Sequence, residues 1–231
     1  MSRLALPGMV SLRSVWLVFA FLPPVLAQAQ SGVLDRSFDP GTGVDQSVYS
    51  PAIQADGRVL IAGDFARSNG TARTNVARLS GTGSLDTHFD PGGAVGNSFS
   101  YLNAVAIQPG GKVLLGGSFN GPASTNLARL DTNGVLDTHF SFEADDTVNA
   151  LAVQTNGSFV VGGFFTEING TSCSAIARFS VDGVLDAGFK PALVGDALSS
   201  VFALALQSDG KIVLGGALPM SAARARRTSL D

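Results

Sequence analysis

The stretch Asp131-Thr132-Asn133-Gly134-Val135-Leu136-Asp137 spaces oxygen side chains around a glycine, as the later part of an acidic calcium loop does. The position for a first carboxylate ligand, however, holds Arg129, and its equivalents elsewhere are Arg78 and Arg178. A guanidinium there opposes a cation, so the sequence assigns no calcium. His88 and His139 occupy matching places in two Asp-Thr-His-Phe segments, but no cysteine or third histidine completes a transition-metal set. Cys173, the only cysteine, lies in the polar stretch Asn169-Gly170-Thr171-Ser172-Cys173-Ser174 with no histidine near it in sequence to activate a thiolate. No serine sits in a Gly-x-Ser-x-Gly elbow. Glu143-Ala144-Asp145-Asp146 is the one local acidic cluster, on a loop that either meets a ligand or is simply solvated. No catalytic, cofactor-binding or metal residue is assigned on these patterns.

The elements that carry these residues repeat. Leu34-Asp35, Leu85-Asp86, Leu136-Asp137 and Leu185-Asp186 are each followed three residues later by Phe38, Phe89, Phe140 or Phe189, at intervals of 51, 51 and 49 residues. Within each period a first hairpin turns at Ala55-Asp56-Gly57, Pro109-Gly110-Gly111, Thr155-Asn156-Gly157 or Ser208-Asp209-Gly210, three-residue loops closed by a left-handed glycine. That turn sets Ile53 opposite Val59, Ile107 opposite Val113, Val153 opposite Phe159 and Leu206 opposite Ile212. Apolar residues on both faces predict strands covered on both sides. The pairs Gly116-Gly117, Gly162-Gly163 and Gly215-Gly216, with Ala62-Gly63 in the first copy, leave room for close backbone approach.

A second hairpin turns at Gly81-Thr82-Gly83, Thr132-Asn133-Gly134 and Val181-Asp182-Gly183, placing Arg78, Arg129 and Arg178 across from Asp86, Asp137 and Asp186. An opposite-charge cross-strand pair recurring three times stabilises a sheet and fixes its register. Each period thus predicts four antiparallel strands without a helix, and blades packed between neighbours suit such units better than a solenoid does. Residues 32–38 supply one returning strand, and the fourth unit only a first hairpin, which makes fifteen predicted strands. Asn69-Gly70-Thr71, Asn156-Gly157-Ser158 and Asn169-Gly170-Thr171 match a glycosylation sequon, although turn chemistry accounts for all three.

Residues 1–29 read differently. Arg3 and Arg13 precede the apolar run 15–22, Pro23-Pro24 breaks it, and Ala27-Gln28-Ala29 offers a cleavage site, the pattern of a secretory signal peptide. The run is too short to span a bilayer, and no later segment is apolar enough to do so. The chain of 231 residues is 45% hydrophobic and 14% charged, with net charge -3. Losing the two arginines would take the charge to about -5, which excludes the basic field that nucleic-acid binding needs. One cysteine in an oxidising compartment gives no internal disulfide.

The order Leu-Asp-x-x-Phe-Asp-Pro-Gly, Ala-x-Gln-x-x-Gly-Lys-Val-Leu-x-Gly-Gly-x-Phe, Asn-Gly-Thr and Ala-Arg-Leu resembles the delta-60 repeat family of exported bacterial proteins, over residues 32–216. The resemblance implies an all-β, β-propeller-like array in a repeat domain at 30–216, and it implies export but no reaction. The second copy departs from it at Phe119-Asn120-Gly121-Pro122, where the loop is shortened. After Gly216 the pattern is lost, and residues 217–231 form an irregular tail. About three and a half units are expected, an incomplete array relative to a longer parent, with open blade edges that permit self-association. The expected function is a secreted or cell-surface, non-catalytic scaffold that binds a glycan or protein partner and uses no cofactor. The alternatives are a truncated remnant and a propeller-type hydrolase or lyase.

Overall fold

The computed structural model describes residues 35–95, 100–189, 191 and 200–217. By its contacts the chain divides into Met1–Asp35 and Arg36–Asp231, and the described elements belong to the second. The signal-peptide pattern and the tail from residue 218 onward lie outside the described residues.

Among the described residues the fold is all-β. The strands are β1 (Ser47–Ile53), β2 (Val59–Asp64), β3 (Arg67–Ser68), β4 (Thr71–Ala72), β5 (Val76–Leu79), β6 (Tyr101–Ile107), β7 (Val113–Asn120) and β8 (Thr125–Leu130). They continue as β9 (Val148–Val153), β10 (Phe159–Gly163), β11 (Glu167–Ile168), β12 (Thr171–Ser172), β13 (Ile176–Phe179), β14 (Ser200–Leu206) and β15 (Ile212–Ala217). Antiparallel sheets run β1-β2-β5, β6-β7-β8 and β9-β10-β13, and a fourth holds β14-β15. These are the successive units of a β-propeller-like array, with the first strands β1, β6, β9 and β14 packed on one another in order.

The first-hairpin register follows from the turns as predicted. Ile53 pairs with Val59, Ile107 with Val113, Val153 with Phe159 and Leu206 with Ile212. Each turn is closed by its glycine; Gly57, for example, has φ 83° and donates to the Gln54 carbonyl at 2.9 Å. The fourth strand of each unit differs from expectation. Leu85, Leu136 and Leu185 form only single bridges to Leu79, Leu130 and Phe179. The aspartate that follows ends the strand, since its carboxylate accepts the amide two residues on (His88, His139 or Gly188) and its carbonyl accepts the phenylalanine amide. An Asx-type turn therefore replaces the extended strand.

Among the described residues the strands still number fifteen, because two small hairpins, β3–β4 and β11–β12, appear where the sequence suggested loops. They turn on Asn69-Gly70 and Asn169-Gly170, both pairs at positive φ, as a type I′ turn requires. Each clasps the segment entering its unit: the Asn69 carboxamide oxygen accepts the Gly43 amide at 3.2 Å and that of Asn169 accepts Glu143 at 2.8 Å. The second unit, with its shortened Phe119–Pro122 loop, instead closes Asn120 directly onto Thr125.

The core lies between the units. One cluster joins Leu60, Val76 and Phe89 to Leu102, Val113 and Leu115 across the first two sheets. The next joins Leu114 and Leu127 to Val148, Phe159 and Phe179, with the Phe140 and Phe142 rings 4.2 Å apart between them. A side chain of this size, fully buried, contributes about 1.5–3 kcal/mol. The glycine pairs serve two separate approaches. A Cβ on Gly116 or Gly162 would overlap Val148 or Val201 of the following unit. One on Gly117 or Gly163 would overlap the Tyr101 or Thr147 carbonyl of its own hairpin.

Candidate functional site

The repeated arginine is the centre of a composite contact that the cross-strand pair alone did not reveal. Arg129 donates from Nε to Asp137 Oδ2 at 3.0 Å, lies 4.2 Å over the Phe140 ring, and donates from Nη1 to the Val181 carbonyl of the next unit at 2.8 Å. Arg78 repeats this with Asp86 (2.9 Å), Phe89 (4.7 Å) and the Thr132 carbonyl (2.6 Å). Arg178 has Asp186 and Phe189 but no such carbonyl among the described residues. Burial pushes the Asp137 carboxyl up, and Lys112 with Arg129 outweighs it, holding the group below its ordinary value. Asp86 is likewise lowered, with burial opposed by the His88 amide and the Arg78 guanidinium. The leucine-aspartate-phenylalanine signature thus builds a cradle that joins one unit to the next. Its carboxylates are already committed to cations of the protein.

The other sequence candidates stay apart. His88 and His139 are almost fully exposed, each beside the aspartate of its own unit at 3.6 and 3.8 Å. Among the described residues no three His, Cys, Asp or Glu side chains gather where they could hold a metal ion. Burial raises the Cys173 thiol, and its Sγ donates to the Thr171 carbonyl at 3.4 Å. Within the acidic cluster, Asp145 Oδ1 accepts the Thr166 and Glu167 amides at 2.8 and 2.9 Å, and Oδ2 accepts the Thr166 hydroxyl. Those bonds outweigh burial and lower its pKa. Asp45 holds the Ala66 and Arg67 amides the same way in the first unit, so this aspartate clasps its unit together. Glu143 and Asp146 are exposed beside it.

A second set of residues escaped sequence reasoning. Every first hairpin carries a β-bulge at the end away from its turn, and the residues left out of the ladder are Tyr49, Asn103, Asn149 and Phe202. Each stands three residues before the alanine of its first strand, and the position is aromatic in the first and fourth units and asparagine in the second and third. Asn103 Nδ2 donates to Asn149 Oδ1 at 2.9 Å, and Asn149 Nδ2 reaches the Val201 carbonyl at 3.4 Å, so the amides form a line across three units. Phe202 meets Phe164 edge-to-face at 5.5 Å. Tyr49 and Phe202 are each 52% exposed, and Tyr101 and Phe164 are exposed as well. A line of amides flanked by open aromatic rings can stack on an apolar ligand face and hydrogen-bond its polar edge. The available signal was an aromatic or asparagine recurring at one place in first strands made largely of small and aliphatic residues.

Three segments, residues 54–89, 108–140 and 154–189, match the family described as a domain of unknown function (DUF5122) beta-propeller. Each runs from the first-hairpin turn to the phenylalanine of the arginine cradle. No curated protein matches the chain. Among solved structures it is similar to catalytically inactive H270A virginiamycin B lyase from Staphylococcus aureus with quinupristin, at 15% identity and TM-score 0.49, over 75% of this chain and 50% of that one. The WD40 beta propeller domain of Doa1 gives 14% identity and TM-score 0.48 over 74% and 48% of the two chains. An extracellular domain from B. thetaiotaomicron, of a protein described as a hybrid two component system, gives 12% and 0.46 over 74% and 20%. The chain spans about half the length of the lyase it resembles. The described residues form a β-propeller-like array, and three of its segments are similar to the DUF5122 beta-propeller family.

Proposed function

We propose that this protein is an exported, non-catalytic binding module, and that the bulge positions Tyr49, Asn103, Asn149 and Phe202 contact an extracellular glycan. The observation that carries the reading is that these four residues share one bulge position outside the strand ladder and are all aromatic or amide. Sugars offer apolar C–H faces that stack on exposed rings and hydroxyls that bond carboxamides. Bulges commonly re-aim side chains at functional positions. Export rests on the signal-peptide pattern of residues 1–29.

A screen of soluble polysaccharides and oligosaccharides by array and calorimetry tests this. The expected result is a glycan whose binding is lost in Tyr49→Ala and Phe202→Ala while their melting temperatures stay near wild type, since both residues are half exposed. No glycan bound above background, or binding indifferent to both changes, would overturn it.

A further inference from the structure

We propose that the flank of the third unit beside β15 is a docking slot for a β-hairpin of the repeat's own second kind, supplied by another polypeptide carrying this repeat. The occupied versions of the slot are visible twice in the chain. Arg78 receives the Thr132 carbonyl and Arg129 the Val181 carbonyl, both from the second-hairpin turn of the following unit. Gln108 adds bonds to the Gly157 and Val181 carbonyls at 2.9 and 3.1 Å. The turn glycine is part of the fit, because a Cβ on Gly134 would crowd Phe89 and one on Gly183 would crowd Phe140.

At the third unit the same parts stand open. The Arg178 side chain is 31% exposed, against 6% and 7% for Arg78 and Arg129. A cleft of about 690 Å³ lies beside it, lined by Gln154, Ser158, Arg178, Val184 and Asp186. The neighbouring β15 has no third strand among the described residues. Its Val213 is 49% exposed, whereas Val160 at the same position is fully buried and pairs with Arg178 of its own third strand. The slot continues an interface the chain has already built twice. Its occupant is therefore defined by chemistry: an extended edge to pair with β15, an arginine opposite Val213 as Arg178 is opposite Val160, and a glycine-containing turn with a carbonyl aimed at Arg178.

The test is calorimetric titration of the full chain with a synthetic peptide of residues 125–142, stapled across its ends to hold the hairpin. Binding in the micromolar range is expected, weakened about tenfold by Arg178→Ala in the chain, as loss of one charge-assisted hydrogen bond predicts. A Gly134→Val peptide should not bind. No binding at about 1 mM peptide, or equal binding by wild type and both variants, would overturn the proposal. Binding that appears only after residues 218–231 are removed would assign the slot to the chain's own tail and would also overturn it. None of these outcomes depends on glycan binding, because the bulge positions lie outside the slot.

Discussion

Arg129 and Val181 belong to different units, yet the Arg129 guanidinium donates to the Val181 carbonyl at 2.8 Å while the same side chain grips Asp137. One residue thus closes its own hairpin and ties it to the next. Arg129→Ala should cost about 2–4 kcal/mol, because it leaves the largely buried Asp137 carboxylate to Lys112 alone, breaks the bond to Val181 and removes the ring contact to Phe140. Arg178→Ala, at an open pair, should cost about 1 kcal/mol or less. Urea melts of the two variants check the difference, and equal losses would contradict the inter-unit role.

Asp86 and Asp137 have folded-state pKa values below those of the unfolded chain. Their contribution is complete above the unfolded value, near 3.9, and is lost as pH falls through the lowered folded values. Thermal stability should therefore be flat from about pH 7 to 5 and drop steeply below about pH 4. Asp137→Asn should make that drop shallower, which melting curves across pH would show.

Ala175 sits at φ 61°, where Asn75 and Asn126 stand in the first two units at 63° and 64°. Those asparagines also accept the Phe65 and Phe119 amides at 3.2 and 2.9 Å. Ala175→Asn should relieve left-handed backbone strain and offer the Phe165 amide an acceptor. A gain of about 1 kcal/mol, or about 2–4 °C in Tm, is expected by calorimetry.

Gly163 and Gly210 separate two reasons for glycine. Gly163→Ala drives a Cβ into the Thr147 carbonyl and should cost about 3 kcal/mol. Gly210 faces open space at φ 86°, so Gly210→Ala should cost only the backbone strain, about 1–2 kcal/mol. Chemical denaturation ranks the pair.

Much of the architecture was legible because turn chemistry dictates register. A three-residue turn ending in glycine leaves one way to pair Ile53 with Val59, and the same counting set Arg78 across from Asp86. The fourth strand was overestimated because the second turn predicts the whole Leu-Asp-x-x-Phe segment as a returning strand. There the Asp86 carboxylate competes for local amides and wins. The clasps β3–β4 and β11–β12 were invisible as strands because two-residue pairs leave no periodicity. The cradle was half visible: spacing gave the ion pair, but Phe89 beneath Arg78 and Thr132 beyond it depend on how units stack. The bulge positions were missed because a bulge breaks the alternation that strand reading relies on.

That same break has a consequence for how the surface can diversify. Tyr49, Asn103, Asn149 and Phe202 each stand outside the ladder, beside a strand partner whose glycine is fixed by the backbone crossing it. Side-chain identity there is uncoupled from strand pairing, so one scaffold can display many combinations of side chains at these four positions. Shuffling them changes the face that a ligand meets while the sheets beneath keep the same spelling.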